Sequence, residues 1–313
     1  MRVALQVIAF NVDLWIYEMI HNAAPHVDKI FIAYPSRPWS YSPQMRASQL
    51  NPTRLDAHKI ASCGADVEIV KGDWALDEDT RNDLLAKARF EGYDWMIVQD
   101  ADEFYTLEGW GEINRHLSLY KDDASVDVLT SKWLNFWKSP DRVIINSDNS
   151  TLSENECMAI RASGSCVKFS YSRTVGSKSR LRTDIQCLHF GYVMPDSSMR
   201  LKISTWAHTS QVKKDQWFNY KWLNWRPGSR YLHPGNPCIW KTTKASSAAL
   251  GLKFSDPNFL LKLSSASPVN RHKCFAIPDR LGEIQYDLFS LVTFFWRSFK
   301  SFLFVKLKLS NGR

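Results

Sequence analysis

The sequence predicts an α/β protein: a Rossmann-like, mostly parallel central sheet with flanking helices. Three observations carry this. Short Val/Ile-rich runs alternate with amphipathic segments through the first hundred residues, the strand–helix–strand order that parallel sheets need. Pro or Gly closes several of these segments. Polar landmarks follow the strands, where open sheets of this kind bind ligands: Asn11 after the first, Asp73 after the third, and Asp100–Glu103 after the fourth.

The elements follow in order. Residues 2–10 form the first apolar strand. Over 13–24, Leu14, Tyr17, Ile20 and Ala24 share one helical face, and Pro25 stops the helix. Lys29–Tyr34 is the second strand, closed by Pro35. Residues 52–64 are expected to be helical, with Gly64 as C-cap. Asp66–Lys71 is the third strand. Residues 77–91 repeat Leu84, Leu85 and Ala88 at helical spacing, with Asp77 or Asp79 as N-cap and Gly92 as the stop. Asp94–Gln99 is the fourth strand and runs into Asp100-Ala101-Asp102-Glu103-Phe104. Right-handed crossovers are the default for such a run. Further on, periodicity weakens. Strands are expected over 125–130, 142–146, 157–161 and 165–171, and helices over 196–206 and about 212–226. With no repeat and no Pro-, Gly- or Ser-rich linker, the expectation is one domain over 1–245 and a C-terminal extension over 246–313.

Composition narrows the function classes. The chain has 313 residues, 44% apolar and 23% charged, which excludes a disordered or collagen-like chain. Its net charge of +8 invites an anionic partner. Five of those charges (Arg297, Lys300, Lys306, Lys308 and Arg313) follow Asp287, the last acidic residue, so residues 1–287 carry only +3. That placement, with no recognisable nucleic-acid motif, argues against a nucleic-acid partner. None of the six cysteines forms a C-x-x-C pair, which excludes a zinc ribbon and a thioredoxin-like site and suits a reducing compartment. The opening MRVALQVIAF reads as a strand rather than a signal peptide, and no apolar run of about 18–20 residues stands out as a spanning helix. A cytoplasmic protein is expected. Asn149-Ser150-Thr151 is then a chance sequon. The thirteen Trp residues serve either as core or as flat platforms for sugar rings.

Asp100, Asp102 and Glu103 form the main chemical clue. In an extended segment Asp100 and Asp102 point the same way while Ala101 points away. Carboxylates so close repel unless a positive group joins them, and Mg²⁺ or Mn²⁺ suits such hard oxygen ligands. Asp-x-Asp alone is also the pattern of a solvated turn. Its position after a buried strand favours a site.

From Arg81-Asn82 through LLAKARFEGYDWMIVQDADEF, the chain resembles the core of family 2-type glycosyltransferases of the GT-A fold. Residues 187–208, with a His, a Gly-Tyr, a Lys and a later His, are similar to family 17 N-acetylglucosaminyltransferases, and so is the opening segment 11–32. That family's Thr-Phe-Thr-Gly segment is replaced here by Ser36–Ser42, so its specificities do not carry over. The resemblance implies a hexosyl- or N-acetylhexosaminyl-transferase. Its donor would be a UDP- or GDP-linked sugar, bound by a half spanning 1–110. Its acceptor, a glycan or a lipid-linked saccharide, would meet a half spanning 111–245.

The resemblance also implies site roles. Asp102 would hold the metal, Asp100 the metal or the ribose, and His189 would complete the metal site. Asn11 and Asp73 would contact the nucleoside, and Arg81 the diphosphate. Glu103 would orient the site, and the catalytic base would be Asp184, Glu154 or Glu156. His208 would meet a phosphate or serve packing. Trp133, Asn135, Phe136 and Trp137 would face the acceptor, unless they form an edge of the core.

Residues 288–313 read as a basic amphipathic helix suited to an anionic membrane surface, or as a helix packed on the core. The other classes left open are a non-catalytic GT-A-like scaffold and a basic membrane- or nucleic-acid-binding protein.

Overall fold

The computed structural model describes residues 1–313 apart from 155, 156, 165, 178, 207, 210, 211, 267–280, 293, 294 and 297–313. The first strand, β1 (Val3–Ile8), is buried at all six positions, as a parallel strand covered on both faces requires. Helix α1 (Ile16–Ala23) follows. Its buried residues include Ile16, Met19, Ile20 and Ala23; of the expected face, Ile20 is buried and Leu14 and Tyr17 pack partly buried against the core. Strand β2 (Lys29–Pro35) leads to the short helices α2 (Pro43–Ser48) and α3 (Ala57–Ser62). Helix α3 is shorter than the expected 52–64 because the Asp56 side chain caps it, accepting from the backbone of His58 and Lys59. Strand β3 (Val67–Gly72), helix α4 (Asp77–Phe90) and strand β4 (Trp95–Val98) complete the first half. Neither Asp77 nor Asp79 caps α4. Leu76 stands at the N-cap, and Asp77 turns inward to pair with Arg81. Gly64 and Gly92 take the positive φ that helix stops favour, as expected.

These four strands pair in the order β3-β2-β1-β4, all parallel. The fold class is therefore the expected α/β one, with a parallel core and flanking helices. The same sheet then continues through strands of the second half. Strand β9 (Ala159–Arg161) lies antiparallel between β4 and β6 (Val128–Trp137). Strands β7 (Ser139–Asn146), β8 (Leu152–Glu154) and β13 (Trp240–Ala245) add further antiparallel pairings. The long β12 (Arg180–Tyr192) runs parallel to β6 and antiparallel to β5 (Glu103–Phe104). The expected strand over 165–171 narrows to β10 (Phe169–Tyr171), which forms a hairpin with β11 (Thr174–Val175).

Helix α5 (Leu107–Leu119) lacks a clear sequence signal because Gly109 and Gly111 lie inside it. It forms because Thr106 caps it and Trp110, Ile113 and Leu117 bury one stripe. Helix α6 (Asp196–Thr205) matches expectation, whereas 212–226 divides into α7 (Lys214–Trp217) and a π-helical turn over Phe218–Leu223. Helix α8 (Phe259–Ala266) and a helix over 281–292 follow. No described helix is long and apolar enough to cross a membrane. Trp137, Trp217, Trp222, Trp225 and Trp240 pack around Tyr192 in one buried cluster, each large ring contributing about 1.5–3 kcal/mol by burial. Most of the C-terminal Trp residues are thus core.

Candidate functional site

Beyond the carboxyl ends of β1 and β4 the sheet opens into a cleft of about 430 Å³. The first half supplies Phe10, Asn11, Arg81, Asp100 and Asp102 to its wall; the second supplies Trp133, Asn135, Glu154, His189, Lys202, Trp206 and His208. The register explains the convergence. Strand β12 sets His189 opposite Glu103 of β5 on one side and opposite Asn135 of β6 on the other. His189 is thereby delivered to the loop that carries Asp102.

Asp100 is held by two arginines. Arg81 Nη2 lies 2.9 Å from Oδ1, and Arg173 Nη1 lies 3.4 Å from Oδ2. Burial pushes this carboxyl up, but the two guanidinium groups outweigh burial and hold it well below the ordinary carboxylate range. Arg173 also pairs with the fully buried Glu103 and donates to the carbonyls of Cys157 and Val98. Burial, only partly offset by Arg173, raises the Glu103 carboxyl to about 7. Arg81 pairs with Asp77 as well, at 3.2 Å. Its Nη1 is buried with no hydrogen-bond acceptor among the described residues.

Asp102 is built differently. Lys202 from α6 places Nζ 2.9 Å from Oδ2 and donates to the Gly191 carbonyl at 3.0 Å. Oδ1 instead faces His189 Nε2 at 3.7 Å. Burial pushes Asp102 up, but Lys202 and His189 bring it below its ordinary value. Burial lowers His189 to about 4, so it is neutral at pH 7. Its tautomer follows from its neighbours. Asn135 Nδ2 donates to Ser153 Oγ at 3.0 Å, which leaves Asn135 Oδ1 to accept from His189 Nδ1–H at 2.7 Å. The Nε2 lone pair then lies on the Asp102 side. The Trp133 ring stacks on the imidazole with centroids 4.4 Å apart and fixes its plane.

Among the described residues no three His, Cys, Asp or Glu side chains converge on a metal position. Two donors do fit one: Asp102 Oδ1 and His189 Nε2, with Asn135 setting the imidazole from behind. A divalent ion held there would take its remaining ligands from water and substrate oxygens. The expectation that Asp100 is a metal ligand does not fit, because guanidinium groups already occupy both its oxygens.

The other expected residues divide clearly. Asn11 lines the cleft in a left-handed conformation (φ 58°) and donates to the Ser198 carbonyl at 3.1 Å. His208 and Glu154 line it too. Asp73 does not; it is half-exposed and paired with Arg46. Asp184 does not either: it is 94% exposed on the outer side of β12, paired with Lys132. Glu103 lies buried behind the lining, on Arg173. Trp133 and Asn135 line the cleft, but Trp137 is fully buried in the Trp cluster and Phe136 in the main core, stacked on Phe190. Glu156 lies outside the described residues. Sequence reasoning missed Arg173 and did not single out Lys202. The signal for Arg173 was physical, since buried carboxylates require cations from somewhere; Lys202 is the Lys of the 187–208 resemblance, to which no role was given.

No family model and no curated relative matches this chain. Among solved structures it is similar to TarS of S. aureus. The residue 1–349 form shows 12% identity over 64% of each chain with a TM-score of 0.36. A longer TarS chain shows 14% identity over 72% of this chain and 43% of that one, with a TM-score of 0.37. The chain thus spans less than two thirds of either TarS chain. A CMP:2-keto-3-deoxy-manno-octonic acid synthetase complexed with CTP shows 11% identity over 52% of this chain and 75% of the other, with a TM-score of 0.31. Overlaps this loose carry no weight for chemistry.

Proposed function

We propose that this protein is a glycosyltransferase, moving a sugar from a UDP- or GDP-linked donor to a glycan or lipid-linked acceptor with Mn²⁺ or Mg²⁺ at Asp102 and His189. The observation that carries this reading is the Asp102–His189 pair, oriented by Asn135 at the end of a central parallel strand inside an aromatic-walled cleft. The family 2 and family 17 resemblances support it through the same residues. When bound, the metal offsets charge building on the departing nucleoside diphosphate.

The chain's own residues supply the rest. Asp102 and His189 would hold the ion, with Asn135 fixing the imidazole so that its Nε2 lone pair stays on the Asp102 side. Arg81, with a buried N–H lacking an acceptor, donates to a diphosphate oxygen. Lys202 adds a second positive charge beside Asp102. Trp133 and Trp206 offer flat apolar faces to sugar rings. Glu154, on the wall built by the second half, takes the proton of the acceptor hydroxyl.

The test is hydrolysis of a panel of nucleotide-sugars with Mn²⁺, comparing wild type with Asp102→Ala. The expected result is turnover of at least one donor, reduced about 10³-fold by the substitution. No turnover of any donor, together with no metal-dependent nucleotide binding, would overturn the reading.

A further inference from the structure

The helix over 281–292 sits on the protein with its charges inward. Glu283 and Asp287 both pair with the fully buried Lys221, at 3.2 and 2.6 Å, and Arg226 reaches Glu283 at 3.6 Å. Tyr286 is buried beside Tyr220, their ring centroids 6.0 Å apart. Gly282 allows this contact: a Cβ there would meet the Tyr220 hydroxyl at 2.5 Å. The opposite face carries Leu281, Ile284, Leu288 and Val292, spaced three or four apart and 55–66% exposed. A helix that seats its carboxylates against the body and turns its aliphatic stripe outward is inverted relative to an ordinary surface helix.

The sequence that follows identifies the occupant. From 288 to 313 there are five basic residues and no acidic one, interspersed with Leu, Phe, Val and Trp. Apolar insertion combined with positive charge suits an anionic lipid surface; a protein groove for this stripe would not call for that charge. We propose that the outward face of the 281–292 helix docks the protein on an anionic membrane, inserting Leu281, Ile284, Leu288 and Val292 at the headgroup boundary. This does not rest on the catalytic reading.

The test is sedimentation of the full chain with phosphatidylcholine vesicles, with and without phosphatidylglycerol. Wild type is expected to partition at least tenfold more strongly onto the anionic vesicles. Ile284→Glu with Leu288→Glu is expected to abolish that gain while leaving the thermal midpoint unchanged, since both positions are exposed. Should the midpoint fall, Ile284→Ser with Leu288→Ser is judged by the same criterion. Three results would each overturn the proposal: no sedimentation of wild type, a variant that sediments like wild type, or a wild-type dimer in light scattering that the substitutions dissociate.

Discussion

Asp100 and Asp102 stand two residues apart on one loop and live in opposite surroundings. Asp100, with its side chain 34% exposed, has both oxygens on arginines that also bind the buried carboxylates Asp77 and Glu103. Asp102 is more buried, at 13%, and has a single cation: one oxygen lies on Lys202 and the other faces a neutral imidazole across 3.7 Å. On the proposed reading the first holds the loop in place and the second presents donors to a ligand. The lesson is that a motif of paired carboxylates can divide its labour, one residue being structural so that the other can be chemical.

The sharpest way to break this contrast is Arg173→Ala. It leaves the fully buried Glu103 without its cation, so we expect about 3–5 kcal/mol of lost stability in denaturant unfolding. A loss under about 1 kcal/mol would contradict the structural role of the Asp100 side. Next is Asn135→Leu, which removes the acceptor that sets His189. Mn²⁺ affinity, measured by calorimetry, should fall roughly 10–100-fold. Unchanged affinity would mean that His189 is not a ligand.

A further effect concerns pH on another wall of the cleft. His233 Nδ1 accepts from the backbone of Gly235 and Asn236, and burial, reinforced by nearby His208, lowers the imidazole to about 4. The unfolded chain takes up this proton near 6.5, the folded chain only near 4. Stability from this group is therefore fully present above about pH 6.5 and is lost as pH falls toward 4. His233→Asn keeps an acceptor that does not titrate. It should remove about 3 kcal/mol of the acid sensitivity between pH 7 and 4, read as the difference between the two unfolding curves. Identical pH dependence in both proteins would reject the assignment. The smallest expected effect is that of Asp184→Asn. Exposed outside the cleft, it should leave turnover within about twofold and the thermal midpoint unchanged.

The two halves of the sheet were unequally legible. Strands β1 to β4 were readable because each is a local apolar run closed by a turn. Asp102 was readable from the apolar run that precedes it, and the cleft position of His189 from the family resemblance. Arg173 acts on Glu103 across 70 positions, and Lys202 on Asp102 across 100. No local pattern encodes either contact. Asp184 was misleading because the first part of β12 alternates buried and exposed positions, and Asp184 falls on the exposed set. Trp137 should share the cleft side with Trp133 and Asn135 by strand alternation. Register shifts after Phe136 and between His189 and Tyr192 turn it into the Trp cluster instead.

The most direct measurement is calorimetric titration of UDP and GDP into wild type, Asp102→Ala and His189→Ala, each with and without Mn²⁺. Wild type is expected to bind at least one nucleotide more tightly with Mn²⁺, and either substitution to remove this metal-dependent gain while leaving the fold intact. Equal nucleotide binding with and without Mn²⁺ in wild type, or a metal-dependent gain that survives in both variants, would contradict this expectation.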